Sequence, residues 1–288
     1  MPDIKTVGVI SKAGVPAAHV VVPELMDWLH EKDLVVRYDP ATAEYCQRSE
    51  PLPREQVADG AQLVIVLGGD GTLLSAARSI AGREIPIFPV NLGGLGFLTA
   101  ITVDELYFQL ERALRGEQRI VPRRMLACRV LADGDTEVAS YEALNDVVIA
   151  KADIARMIDV ETHVDTHYVC TYKADGLIVC TPTGSTAYSL SAGGPIVFPS
   201  VACLCITPIC PHMLTNRPVI VADTSVVQMI NHADHAAAYL TIDGQVGRPL
   251  RHGERVVCQR SERSVFLVRP PRMLFFDVLR QKLKWGER

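Results

Sequence analysis

Leu63-Val-Ile-Val-Leu-Gly-Gly-Asp-Gly-Thr-Leu-Leu-Ser-Ala-Ala-Arg-Ser79 decides how this chain is read. Leu63 to Leu67 are all apolar, the pattern of a strand buried on both faces of a parallel sheet. Gly68, Gly69 and Gly71 then surround one carboxylate, Asp70, with Thr72 closing the turn. Beyond it, Leu73, Leu74, Ala77 and Ile80 recur at helical spacing. Strand, glycine turn and helix in that order leave backbone N–H groups at the positive end of a helix, where a phosphate can sit. Glycine lets a ligand approach the backbone without a Cβ in the way. A carboxylate in such a cradle repels an anion, so Asp70 needs a reason. Asp-Gly is a common turn pair, and Asp is a good helix N-cap. The chemical alternative is a base that accepts the proton of a hydroxyl attacking a phosphoryl group.

Upstream, Thr6 to Ile10 reads as a strand, Val21, Leu25, Trp28 and Leu29 as one face of a helix, and Leu34 to Tyr38 as a second strand. Residues 39–60, with Pro40, Pro51 and Pro53, read as irregular. Downstream, Ile85 to Val90 is a strand interrupted by two prolines, and it runs into a second glycine loop, Asn91-Leu-Gly-Gly-Leu-Gly-Phe-Leu-Thr99. Thr102 and Glu105 have capping-box spacing, Val103, Leu106, Leu110 and Leu114 give an apolar face, and Gly116 can end the helix. This alternation makes residues 1–118 an α/β domain with a mostly parallel sheet. Ligands of such sheets bind at the carboxyl ends of the strands, where both glycine loops fall.

From about Arg123 short strand-like runs follow one another with little helix, and Asp133-Gly134 reads as a hairpin turn. Residues 119–268 are expected to form an all-β sandwich. Residues 269–288 form a C-terminal segment, helical from Arg272 to Trp285.

Composition narrows the function classes. The 288 residues are 48% hydrophobic and 22% charged, which suits packed globular domains. The formal net charge is −4, and no long basic run occurs, which argues against a general nucleic-acid binder. No stretch reaches the roughly 18 apolar residues of a membrane span, and Met1 to Lys12 lacks a signal-peptide layout. Most of the eight cysteines lie in strand-like runs, where a reduced thiol behaves as a small hydrophobe, so a cytoplasmic protein is expected. Cys203, Cys205, Cys210 and His212 fit no zinc spacing, and no metal ligands are assigned. There is no Gly-x-x-x-x-Gly-Lys-Ser/Thr loop, no dinucleotide-fold fingerprint and no nucleophile elbow.

A second informative stretch is Asp175-Gly-Leu-Ile-Val-Cys-Thr-Pro-Thr-Gly-Ser-Thr-Ala-Tyr-Ser-Leu-Ser-Ala-Gly-Gly-Pro195. An apolar strand ends in a loop rich in hydroxyls with one tyrosine, Tyr188. Such a loop suits a nucleoside, with hydroxyls for ribose or base edges and a ring for stacking; the alternative is a Ser/Thr-rich turn with Tyr188 in the core. Asn145-Asp146, just before Val147-Val148-Ile149, could hold a sugar diol or simply begin a strand. Arg156 and Lys173 are candidates for substrate phosphates, or ordinary solvated cations.

These stretches resemble the NAD kinases. Gly68-Gly-Asp-Gly-Thr72, Asn91 to Thr99, Asn145-Asp146 and Asp175 to Pro195 carry the resemblance, together with Pro208-Ile-Cys-Pro-His212 to Arg217-Pro218 and Asp243-Gly-Gln245. Gly-Gly-Asp-Gly is shared with diacylglycerol and sphingosine kinases and 6-phosphofructokinases, whereas Thr-Pro-Thr-Gly-Ser-Thr-Ala-Tyr is far more specific. The resemblance implies transfer of the γ-phosphoryl group of ATP to the 2′-hydroxyl of the adenosine ribose of NAD, with Mg²⁺ carried by ATP. It makes Asp70 the proton acceptor and gives Gly68, Gly69, Gly71 and Thr72 the donor phosphates. Asn145, Asp146 and Asp175 would hold the ribose and nicotinamide side of NAD. Thr183, Thr186, Ala187, Tyr188, Ser189, Leu190 and Ser191 would line the adenosine pocket, with Arg156, Lys173, Gln245, Asp70 and Gly71 as further dinucleotide contacts. Some members have Glu where this chain has Asp146, and a basic residue at Lys173 favours ATP over polyphosphate. The family's fold adds a C-terminal segment that returns to the first domain, and its members are homodimers or homotetramers. A lipid kinase sharing the glycine–aspartate turn, and a sensing module that binds the dinucleotide without chemistry, are the competing readings.

Overall fold

A computed structural model describes residues 4–152, 156–233, 238–270 and 274–285. In chain order its elements are β1 (Thr6–Ser11), α1 (Ala18–Glu31), β2 (Val35–Tyr38), α2 (Pro40–Cys46), α3 (Arg54–Val57), β3 (Leu63–Leu67), α4 (Asp70–Ile80), β4 (Pro86–Asn91), β5 (Ile101–Thr102) and α5 (Leu106–Leu114). There follow β6 (Arg119–Leu131), β7 (Glu137–Ala143), β8 (Asp146–Lys151), β9 (Ile158–Val164), β10 (His167–Ala174), β11 (Gly176–Cys180) and α6 (Tyr188–Ser191). The last are β12 (Cys203–Ile209), β13 (Val219–Ala222), β14 (Val227–Asn231), β15 (Ala238–Ile242), β16 (Val246–Leu250), β17 (Arg255–Arg269) and α7 (Phe275–Leu283). The chain divides into two compact units, residues 1–122 with 264–288, and residues 123–263. The joints read from sequence texture, 118/119 and 268/269, lie a few residues outside the second unit.

In the first unit β2, β1, β3 and β4 pair in parallel, and Phe266 and Leu267 of β17 pair in parallel with Pro86 and Ile87. All five residues of β3 are buried, as the unbroken apolar run requires. The prolines do not interrupt β4: Pro86 opens it, and Pro89 lies past the two residues that pair with β17. Val22, Leu25 and Leu29 of α1 and Leu106 and Leu110 of α5 share a core with Val7, Val9, Ile65 and Phe88. The helix after Thr102 starts at Leu106 rather than Val103, and Gly116 follows it with φ +73°. Residues 39–60 are not irregular throughout, since α2 and α3 lie within them. Asp39 caps α2, its Oδ1 accepting the Thr42 N–H at 3.0 Å, and Pro40 stands at N1.

The second unit is two antiparallel sheets over one core. One has the order β13-β12-β11-β8-β15-β16. In the other, β10 pairs with β9, β9 with β14, and β14 with residues 255–258 of β17, while β6 pairs with β7. Val147, Ile149, Leu177, Val179 and Leu240 from the first sheet pack with Leu126, Val160, Met229 and Cys258 from the second. That is the expected sandwich. Asp133–Asp135 is a short 3₁₀ turn between β6 and β7, with Gly134 at φ +71°. Among the described residues no helix is long and apolar enough to cross a membrane.

Candidate active site

The first unit assembles its polar centre at the carboxyl ends of β3 and β4. Asp70 is the first residue of α4, and Gly69, in extended conformation, is its N-cap. Asp70 therefore does not cap its own helix. Its carboxylate reaches the second glycine loop instead. Oδ1 accepts the N–H groups of Leu98 (3.1 Å) and Thr99 (3.0 Å) and the Thr99 hydroxyl (2.9 Å); Oδ2 accepts the N–H of Phe97 (2.9 Å). Sequence reading placed both glycine loops at strand ends, and the structure joins them through one side chain.

The glycines do different work from that first expected. None of Gly68, Gly69 and Gly71 has positive φ, so the turn needs space rather than a left-handed backbone. A Cβ at Gly68 would lie 2.4 Å from Thr72 Oγ1, so the gap there is filled by Thr72 and not left for a ligand. Thr72 is buried, and its N–H bonds to the Gly69 carbonyl (3.0 Å). Gly69 has open space where its Cβ would stand, and so does Gly94 of the second loop. Gly96 is packed: its Cβ would come 2.2 Å from both Asp70 Oδ1 and Thr99 Oγ1.

The second unit brings together three stretches far apart in sequence. The Asp243 carboxylate accepts the N–H groups of Leu144 (3.2 Å), Asn145 (2.8 Å) and Asp146 (3.2 Å). Asn145 O accepts the Thr181 N–H (2.9 Å), and the Thr181 hydroxyl donates to Leu144 O (2.6 Å). Gly184 passes so close that a Cβ would lie 2.1 Å from Asn145 O. This explains the glycine in Thr-Gly-Ser. Asn145 Oδ1 is buried and has no hydrogen-bond partner among the described residues. A buried amide oxygen without a donor costs about 1–3 kcal/mol, which a ligand N–H or O–H would recover. Burial and, secondarily, the nearby Asp243 charge push the Asp146 carboxyl up to about 7. Asp243 entered the sequence reading only through the resemblance, as part of Asp243-Gly-Gln245; its Asp-Gly turn, with φ +51° at Asp243, was the local signal.

The 181–191 loop divides its hydroxyls. Ser185 donates to Pro182 O (2.7 Å) and accepts the Val197 N–H (3.0 Å), and Ser189 bonds to Thr207 Oγ1 (2.9 Å). Both are buried, so these side chains hold the loop's shape. Thr183 is also buried, and its carbonyl accepts the Thr186 hydroxyl (3.3 Å). Thr186, Ala187 and Leu190 are half-buried, Ser191 is exposed, and Tyr188 is 46% exposed rather than in the core. Asp175 pairs with Lys151 (2.7 Å), a cation the sequence reading passed over. Lys173, Arg156 and Gln245 are exposed. Among the described residues no group of three His, Cys, Asp or Glu side chains is placed to hold a metal.

The family models called ATP-NAD kinase N-terminal domain and ATP-NAD kinase C-terminal domain match residues 7–118 and 144–270. The NAD kinase of Solibacter usitatus is 60% identical over 288 residues, all of both chains. That of Koribacter versatilis is 47% identical over 286 residues, 99% of this chain and all of its own. The crystal structure of yeast NADH kinase complexed with NADH superposes with a TM-score of 0.92 at 23% identity, over all of this chain and 89% of that one, a likeness of fold. The structure of an NAD kinase from Archaeoglobus fulgidus in complex with ATP gives 0.78 at 26% identity, over 97% of this chain and 98% of that one. With its glycine–aspartate turn, its Asn-Asp pair and its hydroxyl loop all inside matched segments, the chain belongs to the NAD kinase family.

Proposed function

We propose that the chain transfers the γ-phosphoryl group of ATP to the 2′-hydroxyl of the adenosine ribose of NAD, and that Asp70 accepts the hydroxyl proton. The conversion of NAD and ATP to NADP and ADP follows from the family and from full-length identity to NAD kinases. The observation that carries the assignment to Asp70 is its carboxylate, fixed by four hydrogen bonds at the start of α4. As the 2′-oxygen forms its bond to phosphorus, its proton passes to Asp70, and the bond from phosphorus to the bridging oxygen breaks with the electron pair leaving on ADP. The open side of Gly69 and the N-terminus of α4 receive the donor phosphates. A divalent cation, Mg²⁺, comes with ATP, its ligands being phosphate oxygens, and offsets the charge beside Asp70. Asn145 Oδ1, the Asp146 carboxyl in its protonated form and the exposed ring of Tyr188 take the dinucleotide, as hydrogen-bond acceptor, hydrogen-bond donor and stacking surface. Arg156, Lys173 and Gln245 contribute from the exposed surface. All eight cysteines are free and five are buried, which suits a reducing cytoplasm.

The test is a coupled assay of purified protein with NAD, ATP and Mg²⁺, reading NADP with an NADP-specific dehydrogenase. Turnover abolished by Asp70→Asn is the expected result. Folded protein that binds NAD and forms no NADP would favour the sensing module, and sedimentation with liposomes would favour the lipid kinase.

A further inference from the structure

We infer that Asn91 and Thr99 form a directional relay that positions Asp70 and reserves its Oδ2 atom as the proton-accepting oxygen. The inference rests on the reading of Asp70 as the base and adds to it the atom and the device that selects it.

The relay's direction follows from what each atom can do. Asn91 and Thr99 are both buried at the two ends of the second glycine loop. The Gly93 N–H can only donate, and it donates to Asn91 Oδ1 at 2.8 Å. That contact orients the amide, so its Nδ2 is the atom facing Thr99 Oγ1, at 2.7 Å. An amide nitrogen can only donate, so Thr99 Oγ1 accepts there. Its own proton must go elsewhere, and the partner in reach is Asp70 Oδ1, at 2.9 Å. The chain of donors therefore runs one way, from Asn91 through Thr99 to Asp70.

At the end of the chain the two carboxylate oxygens are unequal. Oδ1 receives three donors, from Leu98 N, Thr99 N and the Thr99 hydroxyl. It is also shut in by the loop, since a Cβ on Gly96 would lie 2.2 Å from it. Among the described residues Oδ2 receives one donor, the Phe97 N–H at 2.9 Å. A carboxylate has about two acceptor sites on each oxygen. The unfilled one is on Oδ2. Without the Thr99 hydroxyl, Oδ1 loses a donor and the two oxygens become more alike, so the carboxylate is no longer held with one oxygen presented to the substrate.

Thr99→Val removes the hydroxyl and keeps the branched shape. Expected is a fall in kcat of about tenfold, the size of one charge-assisted hydrogen bond lost in the transition state, with KM for NAD and for ATP within twofold of the parent. Thr99→Ser, which keeps the hydroxyl, recovers most of that loss. Asn91→Asp retains an acceptor for the Gly93 N–H but replaces the donor facing Thr99 by an acceptor. It draws the hydroxyl away from Asp70 and lowers kcat to a similar degree. In the double variant Asn91→Asp/Thr99→Val the two losses do not add, because both break one relay. If Thr99→Val fails to fold, as read by circular dichroism and Tm, Asn91→Asp against Thr99→Ser carries the same comparison. The inference is overturned if Thr99→Val keeps full kcat, if Val and Ser lose kcat equally, or if the losses multiply in the double variant. Asp70→Asn in the same assay separates the two levels. Turnover surviving that change removes the base itself, whereas turnover lost there but kept in Thr99→Val removes only the relay.

Discussion

Two carboxylates of opposite character mark the chemistry at the scale of single residues. Asp70 is saturated with donors on one side, and replacing it by Asn puts an N–H₂ group where one oxygen now meets an N–H. Asp70→Asn is therefore expected to lower kcat by about 10²–10⁴, the usual contribution of a general base, and to loosen the second glycine loop as well. The check is to measure kcat, NAD binding and Tm together: a large loss of kcat with NAD still bound supports the proton-accepting role, and near-normal kcat removes it. Asp146 is the reverse case, buried beside Asp243 and pushed from the model-compound value of 3.8 up to about 7. An acid whose folded value lies above its unfolded value holds an extra proton in the folded state between the two. The Asp146 contribution to stability is thus fully present below about pH 4, falls as pH rises toward about 7, and is level above that. At about 1.4 kcal/mol per unit the Asp146 share is about 4 kcal/mol. Asp146→Asn cannot titrate, so in ligand-free urea unfolding its stability relative to the parent should improve from pH 5 to about pH 7 and then level off. A difference that stays flat over that range would contradict the assignment.

At the scale of elements, the strand–turn–helix of residues 63–80 was legible because burial, turn chemistry and periodicity agree over one short window. The helices α2 and α3 were not, because what orders them joins residues far apart. Arg54 at the start of α3 donates to Asp39 Oδ2 (2.9 Å), to Ser11 O (3.0 Å) and to Ser75 Oγ (3.0 Å). Asp39 in turn accepts the Thr42 hydroxyl (2.7 Å) and the Ser11 N–H (3.2 Å). Prolines announced breaks in this stretch, yet Pro40 opens α2 and Pro53 stands as the N-cap of α3, and a helix start suits a residue without an N–H. Arg54→Ala would leave the fully buried Asp39 without its cation, and we expect it to cost about 3 kcal/mol, measured as a lower denaturant midpoint with an unchanged slope. A loss under about 0.5 kcal/mol would mean that water replaces the guanidinium. The apolar runs 256–259 and 265–268 belong to one strand, β17, because Ser261 to Ser264 break the apolar pattern without breaking the strand. The hydroxyl loop was legible in composition as a loop after an apolar strand, but not which of its hydroxyls hold its shape. That division depends on Thr207 and Val197, which reach Ser189 and Ser185 from outside the motif.

At the scale of the whole molecule, the family resemblance leads us to expect a homodimer or homotetramer, which light scattering after size exclusion would report as twice or four times 31.5 kDa. A mass of 31.5 kDa at micromolar concentration would exclude both. The course of β17 gives a sharper expectation. Its residues 255–258 pair with β14 inside the second unit, while Phe266 and Leu267 pair with β4 inside the first. Leu267 and Val268 are fully buried, and Val268 belongs to the same core as Val9, Ile65 and Phe88. The first unit is thus discontinuous in sequence: residues 1–122 contain α1 to α5 and the parallel strands β1 to β4, but neither α7 nor the β17 residues that pair with Pro86 and Ile87. Burial of each large apolar side chain contributes about 1.5–3 kcal/mol, so the loss of Leu267 and Val268 alone, about 3–6 kcal/mol, is a large share of the roughly 5–15 kcal/mol of an ordinary domain. An edge strand such as β4, left with its N–H and C=O groups unpaired and apolar on both faces, also invites association. A chain ending at residue 263 should therefore retain a protected sandwich and lose protection over β1, β3 and β4. Amide hydrogen exchange read by mass spectrometry would show this as fast exchange in residues 6–11, 63–67 and 86–91 with slow exchange kept in residues 146–151 and 176–180. Equal protection in both regions would mean that the first unit closes its sheet without β17, and the boundary drawn here would have to move.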